Sequence, residues 1–310
     1  MTLLDRQLLF VTGKGGVGKT TIAAALAELA AQQGKRTLVC EMDAKGALAT
    51  AFDVGELGYE PTEVRPNVFA MAMNTEDSLR EYLHLFVRIP LVGRIGPLAR
   101  TFDFVADAAP GVKEILAVGK LCYEVRERHY DLVIVDAEAS GHIVAQIGAP
   151  DAIRELVQVG PVRDQTEWMI DILNDPVRTG LVIVTTPEEM PVTETIELLD
   201  RVRDKTRVDV AGIIANRVLP SLFSPREAEV FAALGEPRPQ DALVEVTSRQ
   251  VVTVFAAAEL AEARSRIGAG HLARLREISP TMLFVPELFT KAAGRRVVIQ
   301  VAEHLGEELE

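Results

Sequence analysis

Thiols are scarce in this chain. Its 310 residues include two cysteines, Cys40 and Cys122, which lie far apart and form no C-x-x-C pair. A disulfide framework is thereby excluded, and Cys40, inside the apolar run "TLVCEM", reads as a buried reduced thiol. Long apolar runs are missing too: none approaches the ~20 residues that a membrane span needs. There is no basic tract. With 33 Lys and Arg against 45 Asp and Glu, the net charge is -12, which favours solubility and argues against non-specific nucleic-acid binding. The N-terminus enters the strand-like run "QLLFVT" within a few residues and lacks a signal-peptide layout. No internal repeat or low-complexity tract is evident. From these absences the expectation is a cytosolic protein with no stable membrane insertion and no nucleic-acid partner.

What is present is a core-forming chain, 48% hydrophobic and 25% charged, long enough for one large α/β domain spanning residues 1–310. Short apolar, β-rich runs recur at 7–12, 36–42, 67–73, 131–136, 181–186, 209–216 and 281–285, separated by helical patterns. Several are continuous rather than alternating, as strands covered on both faces must be. The expectation is a mostly parallel sheet with helices on both sides. Between about 74 and 128 no strand pattern occurs, and a second helical stretch follows at about 150–175. Together they are expected to form a helical subdomain. The tail "RRVVIQVAEHLGEELE" reads as a closing helix, and its acidic end is wrong for a membrane-surface helix.

The chemistry is concentrated in "VTGKGGVGKTT", residues 11–21. The pattern G-x-x-x-x-G-K-[ST] runs from Gly13 to Thr20, preceded by a strand and followed by an alanine-rich helix closed by Gly34. In that setting the amides of Gly13, Lys14, Gly15, Gly16, Val17 and Gly18 curl around phosphates, and the helix N-terminus favours the negative charge. Lys19 reaches the β/γ-phosphates, the Thr20 hydroxyl ligates Mg²⁺, and Thr21 bonds the α-phosphate. Two strand ends add acids. Asp136 closes "DLVIVD", where such a protein places the acid that holds Mg²⁺ through water, and Asp43 follows "LVCEM", where an acid orients the attacking water. Lys14 is left over, because one lysine suffices for the loop.

The stretch "GKGGVGKTT" is a deviant Walker A motif, and nearly the whole chain resembles the arsenite-pump and tail-anchored-protein-targeting ATPases, the ArsA/GET family. The resemblance implies a P-loop NTPase fold, ATP/ADP and Mg²⁺ as cofactors, and a dimer. It also implies a role for Lys14, whose counterpart crosses the dimer interface to the neighbour's phosphates. The first switch falls on "DAKGALATAF" (43–52), keeping Asp43, Leu48 and Phe52. The second falls on "DAEASGH" (136–142), keeping Asp136, Gly141 and His142. The segment "TTPEEMPVTET" (185–195) is similar to the family's P-E-x-x-x-x-x-E-T element. Asn216 in "IIANR" and Pro286 and Glu287 in "FVPEL" fall on the adenine side. The resemblance makes Asp43, Lys14 and Lys19 the catalytic set and Thr20, Asp43 and Asp136 the metal side.

The departures carry information as well. The chain has one P-loop, no thiolate cluster for soft trivalent arsenic, and no C-x-x-C for a zinc shared across a dimer. In the first switch the family's proline and histidine are replaced by Ala44 and Gly46, with Lys45 between them. The pattern is most similar to an actinobacterial branch, the anion-transporting ATPases, in which two unlike paralogues can pair. Two readings stay open. One is a hydrolysing homodimeric or heterodimeric switch coupled to a helical surface for a hydrophobic client. The other is a weakly hydrolysing regulatory subunit acting with a paralogous partner.

Overall fold

Strand β1, Leu8–Gly13, is buried at every position and sits at the centre of the molecule. The computed structural model describes residues 2–43, 45–82, 112–156, 161–247, 250–279, 281–290 and 292–309. Around β1 lie β2 (Thr37–Glu41), β3 (Thr62–Arg65), β4 (Val68–Ala72), β5 (Leu132–Asp136), β6 (Thr179–Thr185), β7 (Val210–Val218) and β8 (Met282–Pro286). They form one eight-stranded sheet in the order β3-β4-β2-β5-β1-β6-β7-β8. All neighbours pair in parallel except β3, which runs antiparallel to β4 at the edge. The seven apolar runs are the seven parallel strands. The edge strand "TEVR" escaped notice because an edge needs no continuous apolar run, and charged residues there discourage pairing with other chains.

The strands are continuous in hydrophobicity because alternate residues serve two cores. Leu9, Val11, Val39, Ile134, Val182 and Val184 face α1 (Lys19–Gln32) and the closing helix α11 (Arg295–Leu309). Leu8, Phe10, Leu38, Val133, Val135 and Ile183 face the other side. That side is covered by α4 (Val112–Arg126), α5 (Ile143–Leu156), α6 (Pro161–Asn174) and α7 (Glu189–Lys205). Helix α1 buries Ala23, Ala24, Ala25, Ala27 and Ala30. Small side chains let it lie close to the sheet between β1 and α11, which is why it is alanine-rich rather than leucine-rich.

Two short helices, α2 (Ala47–Phe52) and α3 (Thr75–Tyr82), follow β2 and β4. Within the span expected to form a helical subdomain, the described helices α3, α4, α5 and α6 pack on one another, and no described residue there is in a strand. Val118, Leu121, Met169 and Ile172 enter the sheet-side core, so much of this region's apolar content covers the sheet. The stretch 83–111, including "IPLVGRIGPLAR", lies outside the described residues. A further helical region lies between β7 and β8: α8 (Pro225–Leu234), α9 (Pro237–Thr247) and α10 (Gln250–Arg276). Helix α8 has no buried residue; Phe231 stacks between Phe223 and Phe255 on its surface, with ring centroids 4.5 and 4.8 Å apart. Among the described residues, no helix is long and apolar enough to cross a membrane.

Candidate nucleotide site

The site lies where β1, β2 and β5 end together. Register places Val11 beside Asp136 and Asp136 beside Glu41, so the parallel pairing itself brings two acids to the mouth of the loop. The loop is shaped by glycine where nothing else fits. Gly13 has φ +147°, and a Cβ there would lie 2.1 Å from the Val184 carbonyl oxygen. Gly18 has φ +95°, and a Cβ there would meet Asn216 Nδ2 at 2.4 Å. Between them Gly15 and Gly16 are exposed, while Val17 is buried and pins the loop to the core. The backbone can therefore approach a ligand with no side chain in the way.

Lys19 and Thr20 open α1. The Lys19 amine lies 3.4 Å from the Lys14 carbonyl oxygen, folded back over its own loop. Burial lowers its pKa, while the charges of Asp136 and Asp43 oppose that shift. Thr20 Oγ1 donates to Asp136 Oδ2 at 2.6 Å. The other oxygen, Asp136 Oδ1, is buried and has no partner among the described residues. Burial pushes this carboxyl up to about 6, held down in part by the Thr20 hydrogen bond and by Lys19. A buried carboxylate oxygen without a donor, beside a hydroxyl at the start of the loop helix, fits a hydrated Mg²⁺. The stretch 136–142, expected to be the second switch, is tied to the loop: Ser140 N–H donates to the Gly13 carbonyl at 3.2 Å and Thr12 Oγ1 to the Glu138 carbonyl at 3.1 Å.

Asp43 stands at the rim, half exposed, ion-paired with Lys45. Asn216, at the end of β7, is 7% exposed and donates from Nδ2 to the Val17 carbonyl at 2.8 Å. It thus buttresses the loop from the side expected to hold the base. Pro286 ends β8, and the Glu287 N–H donates to the Val218 carbonyl at 3.0 Å. Glu287 lines a cavity of about 840 Å³ together with Arg217, Val218, Phe284 and Phe289.

Two acids matter to which sequence reasoning gave no role, Glu194 and Glu41. Lys14 is ion-paired with Glu194 of α7, in the same chain; Glu194 lies within "TTPEEMPVTET", but nothing local ties it to the loop. Glu41 is 3% exposed, and its carboxylate accepts backbone N–H bonds from Lys45, Ala47 and Leu48 at 3.1, 3.0 and 3.2 Å. An acid at the end of an apolar strand was the available signal, since a buried carboxylate must find donors.

Comparison with known proteins gives the family. The family model for the anion-transporting ATPase (ArsA ATPase) matches residues 6–160 and 151–233. The ATPase BagA of Mycobacterium tuberculosis is 32% identical over 241 residues, covering 74% of this chain and 70% of that protein. An ATPase ASNA1 homolog of Entamoeba dispar is 26% identical, covering 68% of this chain and 76% of its own length. Another ASNA1 homolog, from Paramecium tetraurelia, is 28% identical, covering 70% and 77%. The family model matches more than half of the chain, and a relative 32% identical covers 74% of it: the protein belongs to the ArsA family of anion-transporting ATPases.

Proposed function

We propose that this chain binds Mg–ATP and hydrolyses it to ADP and phosphate, as one subunit of a homodimer or of a heterodimer with a paralogous ATPase. The observation that carries the reading is the Thr20–Asp136 hydrogen bond with Asp136 Oδ1 left buried and without a donor among the described residues, directly behind the phosphate loop. Thr20 and Asp136 would hold the Mg²⁺, with Asp43 on the metal side, and the bound ion would neutralise charge on the β- and γ-phosphates. The residues Gly13 to Thr21 supply amides, a helix N-terminus and the Lys19 charge. Asn216 would set the base beside the loop, with Pro286 and Glu287 on the far side. Asp43 would hold the water whose oxygen bonds to the γ-phosphorus as the bond to the β–γ bridging oxygen breaks. Phosphoryl transfer asks for positioning and charge stabilisation rather than strong base chemistry.

Lys14 would act in trans. In the single chain its amine is neutralised by Glu194. On dimer formation it would exchange that partner for the neighbour's phosphoryl oxygens, the task of a trans-acting arginine finger in related enzymes. Nucleotide state would then set the relation of the two subunits and of a helical surface for a hydrophobic client, in the cytosol. The experiment is single-turnover hydrolysis by wild type and Asp43→Asn. The variant is expected to bind ATP normally and turn over at least ~10²-fold more slowly. Wild-type turnover in the variant removes the assignment of Asp43.

A second reading has an observation behind it. Asp43 is engaged by Lys45, and the first switch departs from the family pattern, which suits a regulatory subunit of low intrinsic turnover. Adding a paralogous partner separates the two: the regulatory reading requires turnover to rise only in the mixture.

A further inference from the structure

The departures in the first switch form a built arrangement. Glu41, closing β2, holds three backbone N–H groups that belong to Lys45, Ala47 and Leu48. Charge-assisted bonds to donors at 45, 47 and 48 fix the chain path from Lys45 into the first turn of α2. Gly46 supports the same path at φ +76°. Lys45 is therefore anchored by its backbone while its side chain, 75% exposed, extends from the rim of the site.

That side chain meets Asp43. Glu41, which anchors Lys45, lies beside Asp136 in the strand register, and Asp136 accepts from Thr20 at the start of the loop helix, so the Lys45–Asp43 pair sits at the mouth of the phosphate loop. The other two lysines there are engaged differently: Lys14 is paired with Glu194, and Lys19 leans on its own loop. An unmasked Asp43 would repel the terminal phosphoryl group it has to serve. A lysine clamped to it removes that repulsion and adds an attraction that a diphosphate, lacking the terminal group, does not feel.

We propose that Lys45, held in place by Glu41, is a second cis-acting cation for the terminal phosphoryl group of a nucleoside triphosphate, bridging it to Asp43 and making the site select triphosphate over diphosphate. The assignment rests on the nucleotide-site reading above. It concerns binding, and it applies equally to a fast or a slow hydrolase.

The test is calorimetric titration of wild type, Lys45→Ala and Lys45→Arg with Mg–ADP and with the Mg complex of the β,γ-imido analogue of ATP. Lys45→Ala is expected to weaken the triphosphate analogue roughly 10- to 100-fold, the scale of one charge-assisted hydrogen bond, and to change ADP by less than about 2-fold. Lys45→Arg keeps the charge and is expected to retain most of the selectivity. Unchanged thermal midpoints check that both variants fold. If Lys45→Ala weakens both nucleotides alike, or neither, the Lys45 assignment is overturned while the nucleotide site stands. A wild-type chain that binds neither nucleotide overturns the site reading and this inference with it.

Discussion

The end of the sheet that carries the phosphate loop and the helices between β7 and β8 are built on opposite terms. At the loop, β1 is wholly buried, α1 is lined with buried alanines, and Gly13 and Gly18 sit where a single added carbon collides with backbone or with Asn216. In the other region α8 buries nothing, and α10 leaves Val254, Leu260 and Ile267 exposed. Gly270 has open space around its missing side chain. The same residue type is thus indispensable in one place and a weakness in the other. A site that must bring backbone to phosphate is over-determined by its neighbours, whereas this region is held by a few contacts, the Phe223–Phe231–Phe255 stack and the buried Leu272 and Leu275 near the end of α10.

The sharpest way to break this contrast is Gly13→Ala. The new methyl meets the Val184 carbonyl in the central sheet, so the cost is expected to reach about 3 kcal/mol or more. Denaturant unfolding showing a loss below about 1 kcal/mol would mean the loop is more pliable than its packing indicates. Next comes Lys19→Ala, expected to lower ADP affinity by ~10²-fold in a calorimetric titration while leaving the thermal midpoint nearly unchanged. An unfolded variant would show that this lysine is structural.

A smaller effect follows from Asp136. Its folded pKa, about 6, lies above the ordinary 3.8 because of burial. Between those values the folded chain keeps a proton that the unfolded chain releases. This residue's contribution to stability therefore falls as pH rises through that window. The fall of thermal midpoint from pH 4.5 to 7, measured without nucleotide or Mg²⁺, should be shallower in Asp136→Asn than in wild type. Identical pH profiles would refute the shift. The smallest effect is Gly270→Ala in α10, expected to stabilise by about 0.5–1 kcal/mol, opposite in sign to Gly13→Ala. A destabilisation there would show that the peripheral helix is packed more tightly than its exposure indicates.

Much of the fold was legible because parallel strands covered on both faces must be continuously apolar, and all seven such runs were strands. The edge strand Thr62–Arg65 was not, since one short polar-edged segment pairs only because β4 lies beside it. The helices between β7 and β8 carried no comparable signal. Their faces are mixed, and their boundaries were not separable from loop by apolar spacing alone.

The phosphate loop was determined by the sequence itself. Residues 13–21 are contiguous, and glycines followed by a helix start make an anion cradle from local backbone geometry alone. Only the tertiary structure decided what surrounds it. Asp136 reaches Thr20 across 116 positions, Asn216 reaches Val17 across 199, and Glu194 meets Lys14 across 180. Such pairings follow from the order in which parallel strands cross over beside one another, which no local spacing encodes. Glu41 marks the boundary between the two kinds of information. Its partners lie within seven residues, yet only burial at the sheet's end forces its carboxylate to turn back and hold them.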